Sequence, residues 1–171
     1  MAVTVSTGQT NYVSFGLTDS GDTVLRGGSE FVIDGGTVNS TTISAGGSEI
    51  VFFSGTANNT TVSAGGLVYV SSGGTAGATT IAGGTLEISS GGSTGAGAIT
   101  FTGTGGTLRI DGTTMPTNTI SGFVNGDTID LAGVSYASGG IATLSGNTLT
   151  ISAAGTTRNL SLDPFQSYSG L

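Results

Sequence analysis

Apolar and polar residues alternate along most of this chain in short runs, and glycine interrupts each run. Alternation of this kind sends successive side chains to opposite faces and predicts short β-strands rather than helices. In "GGLVYVSSGG", Val68 and Val70 point one way, and Tyr69 and Ser71 the other. In "GGTLEISSGG" and "GGTLRIDG" the inward pairs are Leu86/Ile88 and Leu108/Ile110, so that Glu87 and Arg109 meet water. A register slip of one residue would bury both charges, which fixes the pairing.

The strands recur. Residues 27–45, "GGSEFVIDGGTVNSTTISA", are followed at 46–64 by "GGSEIVFFSGTANNTTVSA". Val5, Val24, Ile43, Val62 and Ile81 stand nineteen residues apart at every step, as do Val13, Val32, Val51 and Val70. Glycine pairs open the repeats at Gly27-Gly28, Gly46-Gly47 and Gly65-Gly66, and a second glycine-bearing corner follows each of them. After Gly83-Gly84 the period drifts, with an insertion around "STGAGAITFTGT". A unit of nineteen residues with two short strands has too little apolar surface to fold alone. Stacked in register, such units bury it, rising about 4.8 Å per coil. A β-sandwich with even strand spacing is the alternative, but sandwiches rarely hold one period over five segments. The expected fold is therefore all-β, a parallel β-solenoid over residues 1–112, with irregular coils or a partly antiparallel cap over 113–171. Glycine suits the corners because they need φ > 0, and Asn39, Asn58 and Asn59 are expected in turns for a similar reason. In the cap, "SGN" and "SAAGTTRN" read as hairpin turns, and Phe123, Leu131, Tyr136 and Phe165 as plugs for the last coil.

Composition narrows the function classes. With 33 Gly but two Pro among 171 residues, collagen is excluded, and the recurring Val, Ile and Leu exclude a flexible linker. The net charge is −7, with three Arg and no Lys, so neither nucleic acid nor an anionic lipid surface is an expected partner. No run of residues has the length and apolarity of a spanning helix, and direct membrane insertion is not expected. The opening "MAVTVSTGQT" has neither the basic nor the apolar region of a signal peptide, which places any export signal outside this segment.

The grammar GG-x4-V-x-x-GG-T-x3-TTV-x-x-GG of residues 27–84 resembles the strand-loop-strand repeats in the passengers of AIDA-type autotransporter adhesins, an O-heptosylated family. The opening "VTVSTGQT…DSGDTVLRGG" is similar to a first coil of such proteins, and "ISGFVNGDTIDLAGV" resembles a module that often follows the repeats. The resemblance implies a right-handed solenoid on the bacterial cell surface or secreted. It implies adhesion or self-association, with other surface proteins, glycans or copies of itself as partners. It also implies a dedicated glycosyltransferase acting on Ser and Thr.

Chemistry is sparse. With no His and no Cys, catalytic triads, thiol nucleophiles and ordinary zinc sites are excluded, and no cofactor or enzymatic activity is expected. Glu30 and Glu49 stack one coil apart, about the separation of a glycosidase pair. They occupy, however, the column that becomes Val68, Leu86 and Leu108, which favours a rotated or solvated edge over catalysis. Asp127 and Asp130 are weak metal candidates, since Ca²⁺ takes six to eight oxygens and turn-forming Asp is commoner. The outward column Phe31, Ile50, Tyr69, flanked by Ile33, Phe52 and Phe53, forms a contiguous apolar patch and is the expected partner contact. A hydroxyl ladder, Thr23, Thr42, Thr61 and Thr80 with Ser44 and Ser63, suits β-propensity and solubility without charge. With the family resemblance it becomes the expected O-glycosylation face. Competing readings are a glycan- or ice-binding solenoid and, behind them, a carbohydrate-active enzyme.

Overall fold

The computed structural model describes residues 1–135 and 138–169; Tyr136, one of the expected plugs, lies outside the described residues. Each regular coil is a triangle with three strands, one more than the alternation alone predicts. The second coil runs Ser29–Val32, Thr37–Asn39, Thr42–Ile43, and the third Ser48–Val51, Thr56–Asn58, Thr61–Ser63. The extra strand is the "TVN" and "TAN" segment, whose single inward residue is too short a signal for period-two analysis.

Stacking produces three sheets. A broad sheet holds seven parallel strands from Thr10–Val13 to Thr128–Asp130. A short sheet of four spans Thr18–Ser20 to Thr75–Gly77. A long sheet of ten begins at Thr4–Val5 and ends in antiparallel strands. Val13, Val32, Val51 and Val70 pair in sequence within the broad sheet, as the repeat requires. Val5, Val24, Ile43, Val62, Ile81 and Phe101 do so in the long sheet. These two columns, with Val38, Ala57 and Ala76 from the short sheet, meet along the axis and exclude water. A coil thus buries only a few side chains, each contributing roughly 1.5–3 kcal/mol, and relies on its neighbours.

The corners explain the glycine pairs. Gly27, Gly46 and Gly65 adopt φ of 72°, 75° and 76°, and their peptides form a ladder, Gly27 N–H donating to Gly46 O and Gly46 N–H to Gly65 O, both at 2.8 Å. The second glycine serves a different need: a Cβ on Gly47 would stand 2.6 Å from the Val24 carbonyl oxygen of the coil below. Asn39 and Asn58, expected in turns, instead end strands and form a side-chain ladder, Asn58 Nδ2 donating to Asn39 Oδ1 at 3.2 Å. The left-handed positions beside them are Ser40 and Asn59.

Parallel pairing continues past residue 112. Thr119–Ser121 adds to the long sheet and Thr128–Asp130 to the broad one. The chain then forms two antiparallel hairpins, Ile141–Ser145 with Thr148–Ala153, and Thr148–Ala153 with Thr156–Leu162, turning at the two segments expected to turn. The last strand returns Leu160 and Leu162 into the core, with Leu162 paired to Ile120. Phe123 packs edge-on against Phe101, and Leu131 is half-buried against the core. Phe165 is no plug: at 96% exposure it projects from a turn beyond the last strand.

Candidate functional site

The four-residue strands of the broad sheet place residues two and four inside and residues one and three outside. The third position builds one outward column, paired in register as Tyr12, Phe31, Ile50, Tyr69, Glu87, Arg109 and Asp130. Its first four members are apolar or aromatic and its last three are charged. Tyr12 stacks on Phe31 with ring centroids 5.2 Å apart, and Phe31 meets Phe52 at 5.7 Å. Phe53, 70% exposed, lies over the Gly73 corner, with Phe15 and Leu17 exposed on the same edge of the first coil. Phe31, Ile33, Ile50 and Tyr69 are half-buried by their neighbours, while Phe52 and Phe53 are open. Tyr12, Phe15 and Leu17 enlarge the patch beyond the residues named from sequence. Tyr12 could have been found, because it precedes Phe31 by the same nineteen residues.

At the other end of the column the surface is ionic. The Arg109 guanidinium lies 2.8 Å from Asp111, 3.5 Å from Asp130 and 3.8 Å from Glu87. Asp127, considered as a metal ligand, accepts backbone N–H groups from Gly106 and Val124 at 3.0 and 3.1 Å, which is turn chemistry. Among the described residues no group of three or more acids could hold a metal ion.

The hydroxyl ladder lies on the long sheet, where Thr4, Thr23, Thr42, Thr61, Thr80 and Thr100 pair in register. Thr23, Thr42, Thr61, Thr80, Ser44 and Ser63 are all half-buried, their side chains grazing solvent between adjacent coils.

Beneath the aromatic column the structure corrects one expectation. Glu30 and Glu49 do not lie on a solvated edge: both are 0% exposed inside the triangle. A second polar column faces them from the start of the long-sheet strands, Asp22, Thr41, Thr60 and Thr79, each almost fully buried. Thr41 Oγ1 donates to Glu30 at 3.2 Å, and Thr60 Oγ1 to Glu49 at 3.2 Å. Asn11 Nδ2 donates to Glu30 at 2.9 Å, and the Val3 N–H to Asp22 at 2.7 Å. Burial pushes both glutamates up, Glu30 to about 8 with the Asp22 and Glu49 carboxyls adding to the rise. Glu49 goes to about 7, its rise opposed by hydrogen bonds from Thr60 and Thr41. Thr79 holds the same place above Val68, which has no acceptor, and its hydroxyl is buried without a partner. The inward threonines carry the repeat spacing too, but they read as part of the "TT" doublet in sequence, where only one of the two can face out.

Comparison with known proteins agrees with this geometry. A family described as "Adhesin of bacterial autotransporter system, probable stalk" (AIDA) matches residues 24–85. A solved fragment, TibC-catalysed hyper-glycosylated TibA55-350, superposes with a TM-score of 0.65 at 30% sequence identity. The repeat array is thus similar to the AIDA stalk family over residues 24–85 and shares its fold with the TibA fragment. The overlap takes in 75% of this chain and 48% of the TibA fragment, so the chain spans about half the length of that fragment. No curated protein sequence matches the chain. The matched residues 24–85 lie within the parallel coils that build all three sheets.

Proposed function

We propose that this chain is a non-catalytic, adhesive segment of a surface-exposed or secreted bacterial protein, and that it associates through the outer face of its first coils. The observation that carries the reading is the contiguous aromatic cluster of Tyr12, Phe31 and Phe52, with Phe15 and Phe53 exposed on the neighbouring corners. The core does not need these side chains, because Val13, Val32 and Val51 fill it from the opposite side of the same strands. Exposed apolar surface of this extent marks contact surfaces. Its repetition along an axis suits many weak contacts acting together. Partners of matching character are other surface proteins, glycans or a second copy of the chain. A catalytic role finds no support, since the stacked glutamates are closed off from any substrate. The test is Phe31→Ser with Phe52→Ser, with light scattering and circular dichroism. The variant is expected to keep its β-spectrum and lose association; an unchanged association state overturns the reading.

A second reading concerns modification. The matched TibA fragment is described as hyper-glycosylated, and the threonine ladder of this chain offers half-buried hydroxyls at a regular spacing along the outer side of the long sheet. We propose Thr23, Thr42, Thr61, Thr80, Ser44 and Ser63 as acceptors for a glycosyltransferase. Intact-mass analysis of protein from its native host is expected to show added hexose or heptose units. A bare polypeptide mass would rule this out.

A further inference from the structure

The first three coils place three carboxyl groups in the core with no cation to match them. Asp22, Glu30 and Glu49 are at most 1% exposed and close enough to hydrogen-bond one another in sequence, Asp22 to Glu30 and Glu30 to Glu49. Among the described residues the cations lie elsewhere. Arg26 is exposed at a corner, Arg109 belongs to the ionic patch, Arg158 lies in the cap, and the Met1 ammonium binds Asp19 at 2.7 Å. Facing the ladder from the broad sheet is Asn11, and from the long sheet Thr41 and Thr60. The charged residue in the short-sheet strands is Asp19, another acid. Six carboxyl oxygens therefore meet four donor groups, Val3 N–H, Asn11, Thr41 and Thr60. Three adjacent anions in so dry a space are not sustainable, and hydrogen atoms on the acids themselves supply the missing donors.

We infer that the N-terminal coils are closed by protons: Glu30 and Glu49 are neutral carboxylic acids that donate along the ladder, and their ionisation opens this end of the stack while later coils stay formed. The inference is independent of the adhesive reading. Its direction follows from linkage. In the unfolded chain both glutamates titrate at the ordinary value near 4.5, whereas folded they hold their protons to about 8 and about 7. The folded state thus binds more protons between those limits. Stability contributed by the ladder is complete below about pH 4.5, declines as pH rises through the window, and is lost above about 8. Since each coil contacts only its neighbours, the loss stays local. Acidification, which weakens most folds, would tighten this end.

Hydrogen exchange followed by mass spectrometry, corrected for intrinsic rates, reads this directly. Between pH 5 and pH 9, protection of Thr10–Val13, Ser29–Val32 and Ser48–Val51 is expected to fall by at least about tenfold, the equivalent of one proton-binding unit. Thr85–Ile88 and Thr107–Ile110 should stay level. In the Glu30→Gln/Glu49→Gln variant the pH dependence should vanish. Should that variant not fold, Glu49→Val/Thr60→Val removes half of the ladder with its partner and should weaken the dependence. Equal protection at both pH values in the natural chain overturns the inference. So does an undiminished dependence in whichever variant folds.

Discussion

The second and third coils and the two coils built on Thr85–Ile88 and Thr107–Ile110 share one backbone and opposite chemistry. In "SEFV" and "SEIV" the acid is inside and the apolar residue outside; in "TLEI" and "TLRI" leucine is inside and the charge outside. The interior correspondingly changes from Glu30, Glu49 and their threonines to Leu86, Ile88, Leu108 and Ile110. Register cannot have shifted to produce this, because Val32, Val51, Val70 and Ile88 stay in one inward column throughout. The difference teaches that the corners and inter-coil hydrogen bonds, rather than the inward side chain alone, set the strand's orientation. One stack can therefore carry an aromatic outer face over a polar core at one end, and an ionic face over an apolar core at the other.

The contrast can be broken at several points. The largest effect is expected in the dry half: Leu86→Ala should cost about 2–5 kcal/mol in denaturant unfolding, because the fixed backbone cannot collapse into the cavity. In the polar half, Thr60→Val should cost about 1–3 kcal/mol by leaving Glu49 short of a donor. Adding Glu49→Val, which reproduces the Val68 position one coil later, should restore most of that loss. Thr79→Val should go the other way and stabilise by about 1 kcal/mol, since its hydroxyl is buried without a partner. A thermal melt that falls for Thr79→Val would mean that this hydroxyl has a partner after all. The smallest effect belongs to the ionic face: Arg109→Ala should change stability by less than about 1 kcal/mol, because its carboxylate partners are solvated.

Much of this architecture was legible in the residues. The valine and isoleucine ladders fix the parallel register, and the glycine pairs fix the corners, because both follow from sterics that act within one or two coils. The third strand was hidden for the opposite reason: Val38, Ala57 and Ala76 are single inward residues between polar neighbours, with no alternation to read. The outer aromatic column followed from spacing, which reaches Tyr12 as well, whereas Phe15 stands outside the column on the corner after Thr10–Val13. The buried acids were visible as members of an inward column. Charge argued for placing them at an edge, and only the facing threonines, eleven residues further along the chain, give them a reason to be inside. A hydrogen-bonding partner at that separation is not a periodicity signal. The exposed Phe165 shows the reverse error, an aromatic taken for a plug by its residue type.

The chain contains three glutamates, Glu30, Glu49 and Glu87. Carboxyl-carbon NMR of protein labelled at glutamate, titrated from acid to alkali with the two Gln variants as assignments, therefore tests the inverted core at its centre. The account predicts that Glu30 and Glu49 keep their protons to about 8 and about 7 and hydrogen-bond inside the folded stack. Three resonances titrating together in the ordinary carboxyl range would place both side chains in water and contradict it.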